Sequence, residues 1–137
     1  MTPADLARIH ASAFRTQRPW SAAEFESLLS SPHVFVVAQG QCFALGRVVV
    51  DEVELLTIAT APTARRMGAA RAALALFETE AKQRGALVAH LEVAADNTAA
   101  LGLYRSAEYS KSGRRRGYYP RENTPAVDAI ILHKALT

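Results

Sequence analysis

Two features of this 137-residue chain could do chemistry by residue type and spacing alone. The first is Arg65-Arg66-Met67-Gly68-Ala69-Ala70, set between an apolar segment with Leu55, Leu56 and Ile58 and an alanine-rich stretch ending at Gly85. Strand, short glycine-bearing turn and helix start form a design for holding an anion. The first turn of a helix leaves N–H groups unpaired at the positive end of the macrodipole. Gly68 lets a bulky anion approach the backbone, and Ala69 and Ala70 keep that turn uncluttered. Arginines there are unfavourable until an anion arrives. No Gly-Lys-Ser/Thr follows, and the three glycines of a dinucleotide fingerprint are missing. Alone, the motif points to a pyrophosphate-like anion and no further. The second feature is Glu92, near the end of the apolar segment ALVAHLEVA. A carboxylate there is costly unless it is paired, solvated or used; the plainer alternative to use is an ion pair with a loop arginine.

Around these stand residues with weaker signals. Asn97 follows Asp96 where a helix cap belongs, and Tyr104 sits on the short helix that follows. Tyr118 and Tyr119 are paired in what reads as a loop of turn-formers, and exposed paired tyrosines in a loop more often bind something than support a core. Lys111, Arg114, Arg115 and Arg116 form the one dense basic run. In a strand Arg114 and Arg116 share a face and Arg115 opposes them; the plainer reading is a solvated edge kept from aggregating by charge. Cys42, His10, His33, His90 and His133 show no ligand spacing and no nucleophile–base grouping, so no metal is expected.

The elements that must position these residues follow from pattern. Residues 5–14 place Leu6, Ile9, Ala13 and Phe14 near one helical face, with Asp5 as cap or in the first turn. Ser21-Ala22-Ala23-Glu24 has capping-box form and opens a second helix stopped at Ser31-Pro32. HVFVVAQ, CFALGRVVV and VELLTIAT then read as an antiparallel meander on short turns, with Gly46 at a bulge. A helix with Ala70, Leu74, Phe77 and Ala81 on one face ends at Gly85, a C′ glycine. The strand bearing Glu92 must therefore run parallel to its predecessor, because a full helix crosses over between them. A short helix over 98–107, a strand over 108–116 and a final antiparallel strand from Val127 complete the chain.

The length fits one domain over residues 1–137, and half the residues are hydrophobic with about a fifth charged, an ordinary globular balance. The formal net charge of +3 is too small to define a nucleic-acid binder by itself. A lone cysteine fits a reducing cytoplasm, and neither a signal pattern nor a membrane-length apolar run is present.

In order and spacing, LLTIAT-AP-T-ARRMGAA, LEVAADNTAALGLY and RRRGYYPR…DAIIL resemble the GNAT family of N-acetyltransferases, over nearly the whole chain. Within that family the chain is most similar to the RimI-type N-terminal acetyltransferases of ribosomal proteins. The family's acetyl-CoA motif, Arg/Gln-x-x-Gly-x-Gly/Ala, is met by Arg65, Gly68 and Ala70. The resemblance implies an α/β fold with a mixed, mostly antiparallel sheet and two splayed central parallel strands, the family's usual first strand having no counterpart here. It implies that Ile58, Ala59 and Thr60 pair with the pantetheine arm of acetyl-CoA by strand addition, that residues 65–70 cradle the pyrophosphate, and that Asn97 contacts CoA. It implies Glu92 as general base, Tyr104 as general acid toward the CoA thiolate, and Tyr118 and Tyr119 shaping the slot for the acceptor. The implied reaction is direct acetyl transfer to a protein N-terminal α-amine, with no metal, no membrane and no direct nucleic-acid partner. Two rival readings stay open: a sibling acetylating a small amine or a lysine side chain, and a non-catalytic acyl-CoA or RNA-associated module using the 111–116 run. Where the family commonly has Gly before an aromatic, this chain has Glu108 before Tyr109, which puts a tight turn in question.

Overall fold

The computed structural model describes residues 1–14, 18–65 and 68–137. Helix α1 (Pro3–Ala13) is capped by Thr2, whose hydroxyl accepts the Asp5 N–H at 3.1 Å while the Asp5 carboxylate accepts the Thr2 N–H at 2.9 Å. Asp5 is thus in the first turn, not at the cap. Helix α2 (Ala22–Leu29) opens with the same reciprocal arrangement between Ser21 and Glu24, as its sequence required.

Strands β1 (Val34–Gln39), β2 (Cys42–Val49) and β3 (Glu52–Thr60) form the antiparallel meander. Gly46 is where β2 and β3 shift register, and a Cβ there would lie 2.6 Å from the Phe77 ring and 2.7 Å from Phe35. Only hydrogen fits. After β3 come a 3-10 turn (Pro62–Ala64), helix α3 (Ala69–Gln83), strand β4 (Val88–Ala94), helix α4 (Thr98–Ser106), and strands β5 (Ser110–Tyr119) and β6 (Val127–Ala135). Strand β5 begins and ends later than the 108–116 span expected. Tyr118 and Tyr119 therefore close a strand and do not lie in a loop.

The six described strands stand in the order β1-β2-β3-β4-β6-β5, and β3–β4 is their one parallel pair. Helix α3 forces that, since it carries the chain back across the sheet between them. Helices α3 and α4 cover one face, burying Phe77 and Leu74 against Phe35, Leu55, Leu91 and Val93. Helices α1 and α2 cover the other, where Leu6, Ile9 and Phe25 meet Phe43, Leu45 and Ala59. Two apolar layers back one sheet.

The turn in question after α4 is made without glycine. Glu108 takes φ +73°, a left-handed conformation in which a Cβ crowds the following carbonyl. It is held there by Glu108 N–H to Arg105 O at 3.0 Å and Tyr109 N–H to Tyr104 O at 2.9 Å.

Candidate active site

The site is built on a gap in the sheet. Strands β3 and β4 pair only through Glu52, Glu54 and the residue between them, opposite Val88, Ala89 and His90. Beyond that, Leu55 and residues 57–60 pair with β2 alone and residues 91–94 with β6 alone. Each strand thus turns one edge of unpaired backbone groups toward the other. A bulge contributes: Leu45 pairs with Thr57 and Gly46 with Leu55, leaving Leu56 without a partner, and the added twist carries β3 away from β4. Ile58, Ala59 and Thr60 supply the free edge on the β3 side. Among them Thr60 also donates its hydroxyl to the Cys42 sulfur at 3.1 Å, which fixes the rotamer facing β2.

At the end of β3 the chain reaches the start of α3. Gly68 is its N-cap, with φ +74° and no heavy atom within 4 Å of where a Cβ would stand, and no side chain caps the helix. The N–H groups of Ala69 and Ala70 therefore begin a helix whose first turn has open space before it, which suits an anion of phosphate size. Arg65 does not aim its guanidinium into that space; it donates to the Ala13 carbonyl at the end of α1, at 3.1 Å. Arg66 and Met67, also assigned to the anion turn from sequence, lie outside the described residues.

Across the gap, Glu92 points to the α1/α2 face of the sheet, because its neighbours Leu91 and Val93 enter the opposite core. Its carboxylate stands 3.2 Å from Arg115 Nε, the ion pair that the plainer sequence reading anticipated, though with a strand arginine in place of a loop one. The same guanidinium lies 5.0 Å over the Tyr118 ring, and Tyr118 meets Tyr119 edge to face at 5.1 Å. Burial raises the Tyr119 phenol above its ordinary pKa, and the nearby Glu92 charge adds to the shift. Glu92, Arg115, Tyr118 and Tyr119 are brought together.

Tyr104 is buried on the α3/α4 side of the sheet. Its ring is buried at 5% exposure, and burial first, then the charges of Tyr119 and Cys42, raise its phenol well above the usual value. Tyr109, 5.8 Å away, makes the useful comparison. Its hydroxyl donates to Glu78 at 3.0 Å, whereas the Tyr104 hydroxyl has no partner among the described residues. One tyrosine is tethered and the other has a free donor. Asn97 caps α4, accepting the Ala100 N–H at 3.1 Å, and so sets the helix that carries Tyr104.

Two contributors escaped the sequence reading. Arg121 grips Asp96 with both arms of its fork, at 3.0 and 2.9 Å, tying the β5–β6 connection to the β4–α4 junction and fixing the tyrosine pair beside Glu92. Arg114 and the Gly117 N–H share the Asp128 carboxylate at 2.6 and 2.8 Å, which lowers its pKa, the Gly117 N–H contributing most. No periodicity marks either pair, since partners are far apart in sequence. Among the described residues no group of three or more His, Cys, Asp or Glu is placed to hold a metal.

An unpaired strand edge, an open helix start, a carboxylate and a free phenol around one gap can hold an extended amide-and-phosphate arm and act on a group between them. Comparison with known proteins agrees in kind. The model of the acetyltransferase (GNAT) family matches residues 4–109. The [ribosomal protein bS18]-alanine N-acetyltransferase of Escherichia coli K12 is 37% identical over 118 residues, spanning 83% of this chain and 79% of that protein. The N-alpha-acetyltransferase RimI of Mycobacterium tuberculosis is 36% identical over 98% of this chain and 89% of its own. The crystal structure of the ribosomal-protein-S18-alanine N-acetyltransferase from Escherichia coli superposes with a TM-score of 0.86 at 32% identity, covering 98% of this chain and 88% of that one.

Proposed function

The chain belongs to the acetyltransferase (GNAT) family and is an acetyl-CoA-dependent N-acetyltransferase, and from that premise we propose that its acceptor is the N-terminal α-amine of a ribosomal protein. The relatives at 37% and 36% identity support this, both being named for protein N-terminal acetylation. The observation that carries it is the convergence of Glu92, Arg115, Tyr118 and Tyr119 on the α1/α2 face of the sheet, beside the gap.

Acetyl-CoA supplies the thioester carbon that the amine attacks. The free edge at Ile58, Ala59 and Thr60 offers backbone N–H and C=O groups to the amides of its arm, and the α3 start at Gly68, Ala69 and Ala70 offers N–H groups to its pyrophosphate. Arg65 stands in the same turn, the sequence continues there with Arg66 and Met67, which lie outside the described residues, and Asn97 borders the arm from α4. An α-ammonium, with a pKa of about 7.7–8.0, must lose a proton before it attacks. Glu92 accepts that proton, directly or through one water. As the new N–C bond forms and the C–S bond breaks, Tyr104 presents its O–H to the departing sulfur. Burial keeps that phenol protonated across the neutral range, so it is always ready to donate. Tyr118 and Tyr119 wall the slot that admits a main-chain amine.

The test is acetylation of a peptide library with varied first residues, with mass-spectrometric location of the acetyl group. Acetyl on the α-nitrogen of alanine-starting peptides is expected. Acetyl on lysine side chains, or turnover only with small amines, would overturn the reading.

A further inference from the structure

Apart from Arg115, the basic run on β5 is not absorbed by the acetyl-transfer site, and its geometry is unusual. Strict alternation would set Lys111 on the opposite face from Arg114. Instead the ladder passes from Lys111 opposite Leu132 to Gly113 opposite Ile131, a bulge at Ser112, and Lys111 is turned to the same face as Arg114. There both meet Arg105, from the last turn of α4. The three cations rim a groove of about 320 Å³ between α4 and the β5–β6 pair, floored by Leu101, Ile130 and Leu132.

This groove opens on the α4 face of the sheet, whereas Glu92 and Arg115 meet on the other, so it is separate from the site above. Asp128 is the carboxylate that meets Arg114; neither Arg105 nor Lys111 is in an ion pair among the described residues. No acidic side chain lines the groove. Two cations without counter-charges, beside a third that Asp128 pairs on one side, around an aliphatic floor are complementary to an anionic chain that also carries aliphatic groups. A single-stranded nucleic acid gains much of its hold from ring faces on which its bases stack. The one aromatic in the groove, Tyr109, is only 5% exposed and its hydroxyl is held by Glu78, so it offers none.

We propose that the groove bounded by Arg105, Lys111 and Arg114 is a docking site for an acidic, aliphatic peptide segment of a partner protein. Its aliphatic side chains occupy the floor, and its carboxylates meet the guanidinium forks and the ammonium.

A fluorescein-labelled 12-residue peptide of alternating glutamate and leucine, N-terminally blocked so that it cannot be an acceptor, is the probe. Its anisotropy is read against the full-length protein at 50 mM salt, with a 12-nucleotide single-stranded RNA as the competing chemistry. Saturable peptide binding is expected, weakened about tenfold or more by Lys111→Glu with Arg105→Glu. Arg8→Glu, on α1 at the opposite face, reverses the same kind of charge and should change binding less than twofold. Should the double variant fail to fold by circular dichroism, Lys111→Ala alone, at an exposed strand position, should still weaken binding severalfold. Absent binding, equal weakening by Arg8→Glu, insensitivity to Lys111, or RNA binding tighter than peptide and lost with the same substitutions would each overturn the proposal.

Discussion

Glu92 and Tyr104 lie on opposite faces of the sheet, and in the proposed mechanism one takes a proton while the other offers one. If Glu92 is the base, Glu92→Gln should lower kcat by about 10²–10⁴ while leaving acetyl-CoA affinity within twofold. Steady-state rates with an alanine-starting peptide, beside calorimetric acetyl-CoA titration, read both quantities. If Tyr104 is the acid, Tyr104→Phe should cost about 10²-fold in kcat. Intact turnover in both variants would sink the mechanism. The pH profile tests Tyr104 separately. An acid must be protonated to act, so a raised phenol pKa extends activity upward. kcat/KM should rise through the amine pKa of about 7.7–8.0 and show no alkaline fall below pH 10, the ordinary phenol value. A falling limb centred near 9 would mean that some other group is the acid. These two residues were legible because an apolar strand with one carboxylate and a family-like tyrosine stand out in a linear string. Arg115 was read only as part of a charge run, since its pairing with Glu92 depends on β6 lying between their strands.

At the scale of elements, the acceptor side depends on a junction that no local pattern announces. Arg121 is nearly sealed, with 10% of its side chain exposed, and its two-armed grip on Asp96 holds the end of β5 against the start of α4. Arg121→Ala should therefore raise KM for the peptide about tenfold and leave KM for acetyl-CoA and the melting temperature nearly unchanged. Arg121→Lys should recover little, because an ammonium cannot match a carboxylate with two parallel bonds. Equal rises in both KM values would point to general loosening and defeat the positioning role. The turn after α4 carries the opposite lesson. Glutamate in a left-handed conformation costs about 1–2 kcal/mol, and glycine gives part of that back in chain entropy. Glu108→Gly should stabilise the fold by about 1 kcal/mol, seen as a higher urea midpoint at unchanged slope. A lower midpoint would show that the Glu108 side chain, which lines a groove with Arg71, Ser106 and Lys134, stabilises more than its backbone costs.

For the whole molecule, strand–helix order was legible because capping boxes, two-residue periodicity and the crossover helix each act locally or by chirality. The insertion of β6 between β4 and β5 was not legible, since a final strand antiparallel to its predecessor fits either edge of that strand. Nor was the bulge that turns Lys111, because alternation is the only rule a strand sequence displays. The α1/α2 layer also hides a titratable group that no spacing or motif singles out. His10 is 2% exposed, packed on Trp20 at 5.0 Å and on Phe14 at 4.5 Å, and its Nδ1 accepts the Trp20 N–H at 3.1 Å. That bond needs the neutral ring. Burial, aided by Arg18 and opposed by Glu24, lowers the His10 pKa from 6.5 to about 4. The unfolded chain therefore takes up a proton below pH 6.5 that the folded chain refuses until about pH 4. Stability is full above 6.5 and falls through that window, by about 3 kcal/mol in all. The Glu24 carboxylate, lowered to about 2 chiefly by its Arg18 hydrogen bond, loses its contribution only as pH falls below 4.5, so the two windows overlap only between about 4 and 4.5. Urea titrations at pH 7, 5.5 and 4.5 should show the loss already at 5.5, and His10→Gln should flatten the curve between 7 and 5 while lowering stability at pH 7. A wild-type curve flat from 7 to 4.5 would mean that the ring is protonated in the fold, and that the α1/α2 layer opens more readily than its packing indicates.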